Sequence, residues 1–424
     1  MGKVDAVQLR YSYRIDPTPC QRLALARAFG CARVVYNDAL RIRQDAHQLG
    51  LPYPTDGELS RQVITAAKKT PERAWLSEVS AAVLQQALAD ANVAFRNFFA
   101  SLSGKRKGPK LGPPRHRSRK DNRQAIRFTK NAPFSITETG RLRLSKIGDI
   151  RVRWSRDLPA APSSVTIIKD AAGRYFASFV IDVTADPLPT AGDETGIDLG
   201  LEHFAVLADG RKIDSPKFLR RAEAKLRRLQ KSLSRKEKGS SNRGKARVRV
   251  ARQHAKVADA RREFHHQLST RLIRENQAVY VENLAVNGLV RTRLAKSVHD
   301  AGWSAFVNML EYKARLYGRA FGKVDRWFPS TRTCSACGVV GAAKPLRVRE
   351  WACGCGAVHD RDIDAANNIL AAGRTERLNA CGGQVRPGVI PAPAGEAGSH
   401  RGAEMSTVEN LRPPGRRARQ KSGC

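Results

Sequence analysis

The chain of 424 residues contains no apolar run near 18 residues long, the length that a membrane-spanning helix needs. Its first six residues, Met1 to Ala6, also lack the apolar core of a signal peptide. Both absences argue against a membrane or secreted protein. We therefore expect a cytoplasmic protein that has no membrane partner.

Acidic residues are scarce, with 39 Asp and Glu against 76 Lys and Arg, which gives a net charge of +37. A chain with this excess would repel itself, so a polyanion is its natural partner. A solvated basic surface is the simpler alternative. The excess is clustered rather than evenly spread, and this favours nucleic acid.

Two segments hold much of the basic charge. Residues 101–130 contain eleven Lys and Arg and one acid among Gly and Pro, and we interpret them as a loop that contacts phosphates rather than a solvated linker. Two helical patterns, 216–238 and 245–276, predict a helical hairpin with a basic outer face. The candidate nucleic-acid contacts are Lys105, Arg106, Lys107, Arg115, Arg117, Arg119, Arg227 and Arg228.

Cysteine is also uncommon, and four of the eight residues lie between positions 334 and 355. Cys334 and Cys337 form one knuckle, and Cys353 and Cys355 form a second that is one residue shorter than the usual C-x-x-C. In a reducing compartment this spacing favours a zinc ribbon over disulfides. Four unrelated buried thiols are the alternative. We predict a structural Zn²⁺ site, because four protein ligands leave no position open for water.

Three acids occupy distant but similar settings. Asp198 interrupts an apolar strand at 195–201, Glu282 lies in a strand at 278–284, and Asp362 opens a helix. An isolated buried carboxylate is costly, and carboxylates suit Mg²⁺ or Mn²⁺, which in pairs promote phosphodiester hydrolysis. Each acid alone could hold a turn, pair with an arginine or cap a helix. Together they predict a divalent-metal active site.

Asp360 and Asp364 compete with Asp362 for the third position. Asp362 precedes Ala366 by four residues and Ile369 by seven, so it shares their buried helix face. Asp360 lies before the helix, where a cap or a surface ion pair would explain it. Asp364 is expected to face solvent or bound nucleic acid. We therefore choose Asp362.

The first strand pattern, Val7 to Ile15, has no nearby partner, and its backbone groups need one. We infer that it pairs with the strand patterns between 125 and 183, so that the intervening helical segment is an insertion in a β-barrel. The predicted fold class is α+β with several domains. The expected divisions are a barrel (1–17 and 125–186), a helical insertion with the basic loop (18–124), an acid-bearing domain (190–333 and 358–374), the zinc ribbon (334–357) and a disordered tail (375–424).

Several short segments occur together in a characteristic order. They are Tyr13-Arg14-Ile15-Asp16-Pro17-Thr18-Pro19, Gly196-Ile197-Asp198-Leu199-Gly200, Val281-Glu282-Asn283-Leu284, Cys334-Ser335-Ala336-Cys337-Gly338 and Asp360-Arg361-Asp362-Ile363-Asp364-Ala365-Ala366-Asn367-Asn368-Ile369. Through them nearly the whole chain resembles the TnpB family, transposon-encoded RNA-guided nucleases related to type V CRISPR effectors. There are two departures: Asp364 stands where the family commonly has Asn, and the second cysteine knuckle is shortened.

The resemblance implies a wedge barrel, a recognition insertion and an RNase H-like (RuvC) nuclease domain that carries the zinc ribbon. It implies that Asp198, Glu282 and Asp362 are the catalytic residues and bind Mg²⁺ or Mn²⁺. The implied partners are a guide RNA from the transposon end and a double-stranded DNA target. The predicted function is therefore RNA-guided cleavage of DNA by two-metal phosphodiester hydrolysis.

Other functions fit the residues less well. A single-strand transposase needs two His that flank one apolar residue, whereas His265 and His266 are adjacent. A DDE transposase usually takes its third carboxylate from Glu, and the order here is Asp, Glu, Asp. A non-cleaving RNA-guided regulator would not need the acids. A plain basic zinc-ribbon protein would not explain them either.

Overall fold

A seven-stranded antiparallel sheet, curved into a nearly closed barrel, is built around the first strand of the chain. The computed structural model describes residues 6–121, 123–129, 134–345 and 347–380. The strands are β1 (Ala6–Asp16), β2 (Gln124–Thr129), β3 (Phe134–Ile136), β4 (Arg141–Leu144), β5 (Gly148–Arg153), β6 (Ser164–Lys169) and β7 (Tyr175–Thr184). Their order in the sheet is β2-β6-β7-β1-β5-β4-β3.

The predicted partner of β1 is β7. The two strands pair from Ala6 opposite Thr184 to Ile15 opposite Tyr175, and the end of β1 also pairs with β5. Tyr13 and Ile15 point into the same core as Phe179. The prediction that β1 closes a barrel with strands far along the chain is therefore confirmed.

Helices fill the segment between β1 and β2. They are α1 (Pro19–Gln48), α2 (Asp56–Ser60) and α3 (Ala81–Leu102), with short π- and 3₁₀-helical turns over residues 61–69 and 74–78. Thr18 and Gln21 form a capping box at the start of α1. α3 begins only at Ala81, because the 3₁₀ turn at 74–78 is followed by extended backbone at Val79.

The second sheet has five strands in the order β10-β9-β8-β11-β12. These strands are β8 (Asp193–Asp198), β9 (His203–Leu207), β10 (Lys212–Asp214), β11 (Asn276–Glu282) and β12 (Ala320–Val324). β11 lies in the middle of the parallel part, between β8 and β12. β12 ends at Val324, and a turn follows in which the nitrogen of Phe328 donates to the carbonyl oxygen of Asp325.

The helices of this half surround the second sheet. The predicted helical hairpin is α4 (Phe218–Ser234) packed against α5 (Ser241–Glu275), followed by the short α6 (Val286–Leu289). The next two helices, α7 (Ala295–Ala301) and α8 (Trp303–Leu316), are separated at Gly302, which takes a φ of 68°. No helix in the described ranges combines the length and apolar character that crossing a bilayer requires.

A two-stranded ribbon and a long helix complete the described chain. The ribbon is β13 (Glu350–Ala352) paired with β14 (Val358–Asp360), and the helix is α9 (Arg361–Ala380). The prediction that the chain is disordered from residue 375 was wrong for residues 375–380, which continue α9. The rest of that tail, 381–424, lies outside the described residues.

α9 approaches the second sheet closely because two glycines face the contact. A β-carbon at Gly196 would lie 2.5 Å from the backbone nitrogen of Leu370 and nearer still to the carbonyl oxygen of Ala366. A β-carbon at Gly373 would lie 2.8 Å from Cβ of Tyr280. A side chain at either position would displace the helix. The two glycines therefore allow α9 to pack directly against the backbone of β8 and the side chain of Tyr280.

We predict that Gly196→Ala destabilises the protein by at least about 2 kcal/mol, since the new methyl group meets backbone atoms that cannot rotate away. Thermal unfolding followed by circular dichroism measures the change. Gly192→Ala is the matched control, because no atom lies within 4 Å of a β-carbon there. Equal melting temperatures for the two variants would show that α9 does not need this close approach.

Candidate functional site

Asp198 and Glu282 end neighbouring parallel strands. Val281 pairs with Ile197 in the ladder between β11 and β8, so the next residue of each strand carries an acid at the same edge of the sheet. Ile197 and Val281 are fully buried, whereas the two acids are partly exposed. The structure thus brings together two acids that the sequence placed in separate strands.

Asp362 reaches this edge from the first turn of α9. The Oδ1 atom of Asp360 accepts hydrogen bonds from the backbone nitrogens of Asp362 and Ile363, both at 3.1 Å. The other oxygen of Asp360 lies 2.6 Å from Nζ of Lys212. Asp360 therefore caps the helix and forms an ion pair, as the sequence analysis expected. Asp362 is the acid of this pair whose charge acts on Asp198.

Asp198 is repelled by the charges of both other acids. Burial, together with the nearby charges of Asp362 and Glu282, raises the pKa of Asp198 to about 7. Burial also raises the pKa of Glu282. Carboxylates that are both desolvated and close to like charges are a common mark of functional sites. A divalent cation bound among them would relieve the repulsion.

Arg349 contacts one of these acids, and it was not among the residues predicted from the sequence. Its Nη1 lies 3.2 Å from Oδ2 of Asp362, and its Nη2 forms an ion pair with Glu202. Arg349 directly precedes β13, far from Glu202 along the chain. No local pattern in the sequence marks such a residue, because its partners meet only in the folded protein.

The four predicted zinc ligands, Cys334, Cys337, Cys353 and Cys355, meet in space. Their Sγ atoms all lie within 4.8 Å of one another, and they form the one such metal-ligand cluster in the described ranges. Cys334 and Cys355 are 3.8 Å apart, and Cys337 and Cys353 are 3.7 Å apart. A tetrahedral zinc ion with Zn–S bonds of about 2.3 Å needs sulfurs about 3.8 Å apart. The set therefore fits a metal ion such as zinc.

The shortened second knuckle closes through a glycine. Gly356 takes a φ of 89°, and its nitrogen donates to the carbonyl oxygen of Cys353 at 3.0 Å. The nitrogen of Cys353 donates in turn to the carbonyl of Ala357 at 2.8 Å. This tight turn directs both sulfurs to the same side although one residue is missing.

The expectation for Asp364 was wrong. Asp364 is only 2% exposed. Its Oδ1 accepts a hydrogen bond from the backbone nitrogen of Ser335 at 2.9 Å and lies 3.1 Å from Nδ1 of His359. The other ring nitrogen of His359 is 3.0 Å from Sγ of Cys334. The segment that carries the four cysteines (333–345 and 347–359), called the cysteine module below, covers this face of α9. The apolar periodicity of the helix alone does not predict that Asp364 is buried there.

The basic loop between α3 and β2 contains residues with different roles. The guanidinium of Arg117 lies 3.8 Å from the ring centroid of Tyr36 and 3.2 Å from Asp90. Asn37 hydrogen-bonds both the backbone nitrogen and the carbonyl of Arg117. Arg117 thus fastens the loop to the helices instead of extending to a ligand. The exposed cations of the candidate set in this loop are Lys105, Lys107, Arg115 and Arg119, while Arg106 is partly buried.

The candidate contacts of α4 are both exposed. Arg228 lies on the outer face, and Arg227 forms a 3.2 Å pair with Glu223 one helical turn away. Exposed pairs of this kind are weak. Both arginines are therefore accessible to a ligand.

A large groove separates the barrel from the second half of the molecule. One wall is the first half of β1, and the other is formed by α5 and α8. Its basic residues are Arg10, Arg156, Arg262, Arg271, Arg274, Lys313 and Arg315, and its aromatic residues are Tyr11, Phe176, Tyr312 and Tyr317. Positive charge beside partly exposed rings suits a single-stranded nucleic acid, which offers phosphates and bases together. No local sequence pattern marks this groove, because its walls come from distant segments.

Three family models match the chain. One described as "Probable transposase" matches residues 178–293, one described as "Cas12f1-like, TNB domain" matches 303–369, and one described as "Helix-turn-helix domain" matches 1–51. The first includes Asp198 and Glu282, and the second includes Asp362 and the four cysteines. Within the third, the structure shows β1 followed by the single helix α1.

Two relatives match over most of their length. A protein of Streptomyces pristinaespiralis, "Putative RNA-guided DNA endonuclease", is 45% identical over 388 residues, which is 90% of this chain and 92% of the relative. InsQ of Escherichia coli K12, "Putative RNA-guided DNA endonuclease InsQ", is 28% identical over 395 residues, covering 89% and 95%. The similarity to these relatives therefore covers about nine tenths of this chain.

Solved structures share the fold at low sequence identity. A Cas12f1–sgRNA–target DNA complex aligns with a TM-score of 0.52 at 12% identity, covering 86% of this chain and 99% of the other. The mini-RNA-guided endonuclease CRISPR-Cas phi3 aligns with a TM-score of 0.51 at 8% identity, covering 87% and 92%. At these identities the likeness concerns the fold alone.

We predict that Asp198→Asn raises the melting temperature of the protein at pH 8 without divalent ions. The folded-state pKa of about 7 lies above the ordinary value of 3.8, so the stability that this carboxyl contributes below pH 4 is lost as the pH rises to about 7. The neutral amide avoids that loss. The difference should shrink steadily toward pH 4, where Asp198 is protonated in the folded state and the unfolded carboxyl, with its ordinary pKa of 3.8, is also partly protonated.

Differential scanning fluorimetry of the two proteins across pH 4–8 measures this effect. Asp193→Asn is the control, because Asp193 is exposed at the start of the same strand. Added Mg²⁺ should raise the melting temperature of the wild type more than that of Asp198→Asn. A variant less stable than the wild type at pH 8 would contradict the predicted charge repulsion.

Proposed function

Because the chain belongs to the TnpB family, we propose that it is an RNA-guided endonuclease that cleaves double-stranded DNA. The observation that carries the proposal is the meeting of Asp198, Glu282 and Asp362 at one edge of the second sheet. The burial of Asp198 beside the charges of the other two acids makes this site costly for the fold. A regulator that only binds DNA would gain nothing from it, so the site supports cleavage over the non-cleaving alternative.

The acids fit Mg²⁺ or Mn²⁺ through their hard oxygen atoms. A pair of such ions, when bound, supplies an activated water and stabilises the leaving oxygen of a phosphodiester. Asp198 is influenced by both other acids, which suits a carboxylate that serves two ions. The carboxylate oxygens of the three acids do not all lie within 4.8 Å of one another. This wider spacing would suit a pair of ions better than a single ion.

Arg349 is placed to act next to these acids. Half of its side chain is exposed, so a DNA strand that enters the site can reach its guanidinium. The planar group can release Asp362 to a metal ion and hold a phosphate oxygen instead. Arg349 thereby balances the charge of the site until the ions and the substrate are present.

We assign the four cysteines to Zn²⁺. Four thiolates fill a tetrahedral shell, so the ion has a structural and not a catalytic role. We assign the groove between β1 and α5 to RNA and the exposed loop cations to phosphates of the nucleic acids. β1 pairs with β5 only from Arg14 onward, so its earlier backbone groups are available at the edge of the groove.

The experiment that tests the function is cleavage of a plasmid that carries a match to the RNA copurified with the protein. Asp198→Ala, Glu282→Ala and Asp362→Ala should each abolish cutting while RNA remains bound, because the metal ligands lie apart from the RNA groove. Asp360→Ala should keep most of the cleavage rate and lose about 1 kcal/mol of stability with the helix cap. The readout is the single-turnover rate at saturating Mg²⁺.

Undiminished cleavage by Asp198→Ala would overturn the proposed site. An active Asp362→Ala beside an inactive Asp360→Ala would move the third catalytic position to Asp360. If the wild type binds the matched plasmid and never cuts it, the alternative of an RNA-guided regulator is correct.

The groove and the loop should respond differently to neutralisation. Replacing Arg262, Arg271 and Arg274 with Gln should reduce RNA binding and lower its salt-dependence slope by roughly one unit for each phosphate that the protein no longer neutralises. Replacing Lys105, Lys107, Arg115 and Arg119 with Gln should flatten the salt dependence of nucleic-acid binding by the loop. Arg117→Gln should instead lower thermal stability. Unchanged slopes in salt titrations of both sets would mean that these cations are only solvated.

A further inference from the structure

The first turns of α9 hold the cysteine module at three levels. Arg361 donates to the carbonyl oxygen of Pro345 at 2.9 Å. One turn on, Asp364 accepts from the nitrogen of Ser335, inside the first knuckle. A further turn on, Asn368 donates to the carbonyl of Thr333 at 2.8 Å. The helix that carries Asp362 is thus the surface on which the cysteine module rests.

Asp364 and His359 connect this helix directly to a metal ligand. The side chain of Asp364 is 1% exposed and that of His359 is 11% exposed, with 3.1 Å between Oδ1 and Nδ1. Nε2 of His359 then lies 3.0 Å from Sγ of Cys334. A buried carboxylate, an imidazole and a thiolate ligand therefore form one continuous chain of interactions. In metal sites a hydrogen-bonded outer layer of this kind orients the ligands and tunes how tightly they hold the ion.

We propose that Asp364 and His359 are positioning residues. Through them, a zinc ion held by the four cysteines determines the position of α9, the helix that carries Asp362. The inference rests on the proposed function, since it takes zinc at the cysteines and Asp362 in the active site. An ion at the four sulfurs fixes Cys334, Cys334 fixes the ring of His359, and the ring fixes Asp364. Asp362 lies half a turn from Asp364 on the same helix, so its carboxylate is held by the same interactions.

The departure at position 364 agrees with this arrangement. The carboxylate accepts from Ser335 on one side and faces the imidazole on the other. An amide can replace the first interaction, but its uncharged oxygen holds the ring more weakly. Asp364→Asn should therefore weaken zinc retention, although it installs the residue that is commoner in the family.

The experiment measures zinc retention in the full-length protein bound to its RNA, with a chromophoric chelator as competitor. Asp364→Asn and His359→Leu should lower the affinity for zinc by about 10–100-fold, the usual effect of removing an outer-layer partner. His359→Gln, which keeps an N–H donor, should recover part of the loss. Glu376→Gln is the matched control, an acid-to-amide change on the same helix more than two turns beyond Asn368.

A spectroscopic readout separates this role from general loosening of the fold. In cobalt-substituted protein, the sulfur-to-metal charge-transfer bands should shift in His359→Leu and stay in place in Glu376→Gln, because the former removes the ring nitrogen that faces Sγ of Cys334. If His359→Leu does not fold, His359→Gln and Asp364→Asn carry the same measurement. Unshifted bands and unchanged zinc affinity in the variants would overturn the inference.

The link to the active site has its own test. With zinc kept in excess, His359→Leu should raise the Mg²⁺ concentration needed for half-maximal cleavage more than it lowers the rate at saturating Mg²⁺. A variant that holds zinc weakly and yet has normal Mg²⁺ dependence would refute the positioning role. Wild-type protein that contains no zinc would refute both the metal assignment and this inference. Zinc present but held equally by all variants would refute the inference alone.

Discussion

The backbone packing of α9 against β8 at Gly196 is the constraint on which the rest of the site depends. Asp198 lies two residues after this glycine, and Asp362 lies four residues before Ala366, the helix residue whose carbonyl faces it. The distance between the two acids is therefore set by backbone packing and not by flexible side chains. β11 adds Glu282 to the same edge through its ladder with β8. Three acids from distant segments thus meet within one rigid frame.

That frame works against the stability of the metal-free protein. Burial and like charges raise the pKa of Asp198 to about 7, which means that the ionised form is disfavoured without a cation. The surrounding structure supplies compensation. Arg349 neutralises Asp362, Asp360 caps α9, and the cysteine module holds the outer face of the helix.

Local patterns were enough to find some parts of the site and not others. Asp198 and Glu282 were recognisable because acids in apolar strands need an explanation, and the partner of β1 followed from its unpaired backbone. The roles of Asp364 and Arg117 could not be read from the sequence. The apolar periodicity of a helix predicts only the face that packs on the main core. Asp364 lies on a different face of α9, which the cysteine module covers. A basic loop shows its charge, and only the folded chain shows that Arg117 is bound to Tyr36 and Asp90.

The central claim is that Asp198, Glu282 and Asp362 share divalent ions. Anomalous diffraction from crystals grown with Mn²⁺ and RNA tests it most directly. We expect two manganese peaks about 4 Å apart among these three carboxylates, and both should disappear in Asp198→Ala crystals grown in the same way. Peaks bound instead by Asp360 and Asp364, or no peak at this edge of the sheet in the presence of millimolar Mn²⁺, would contradict it.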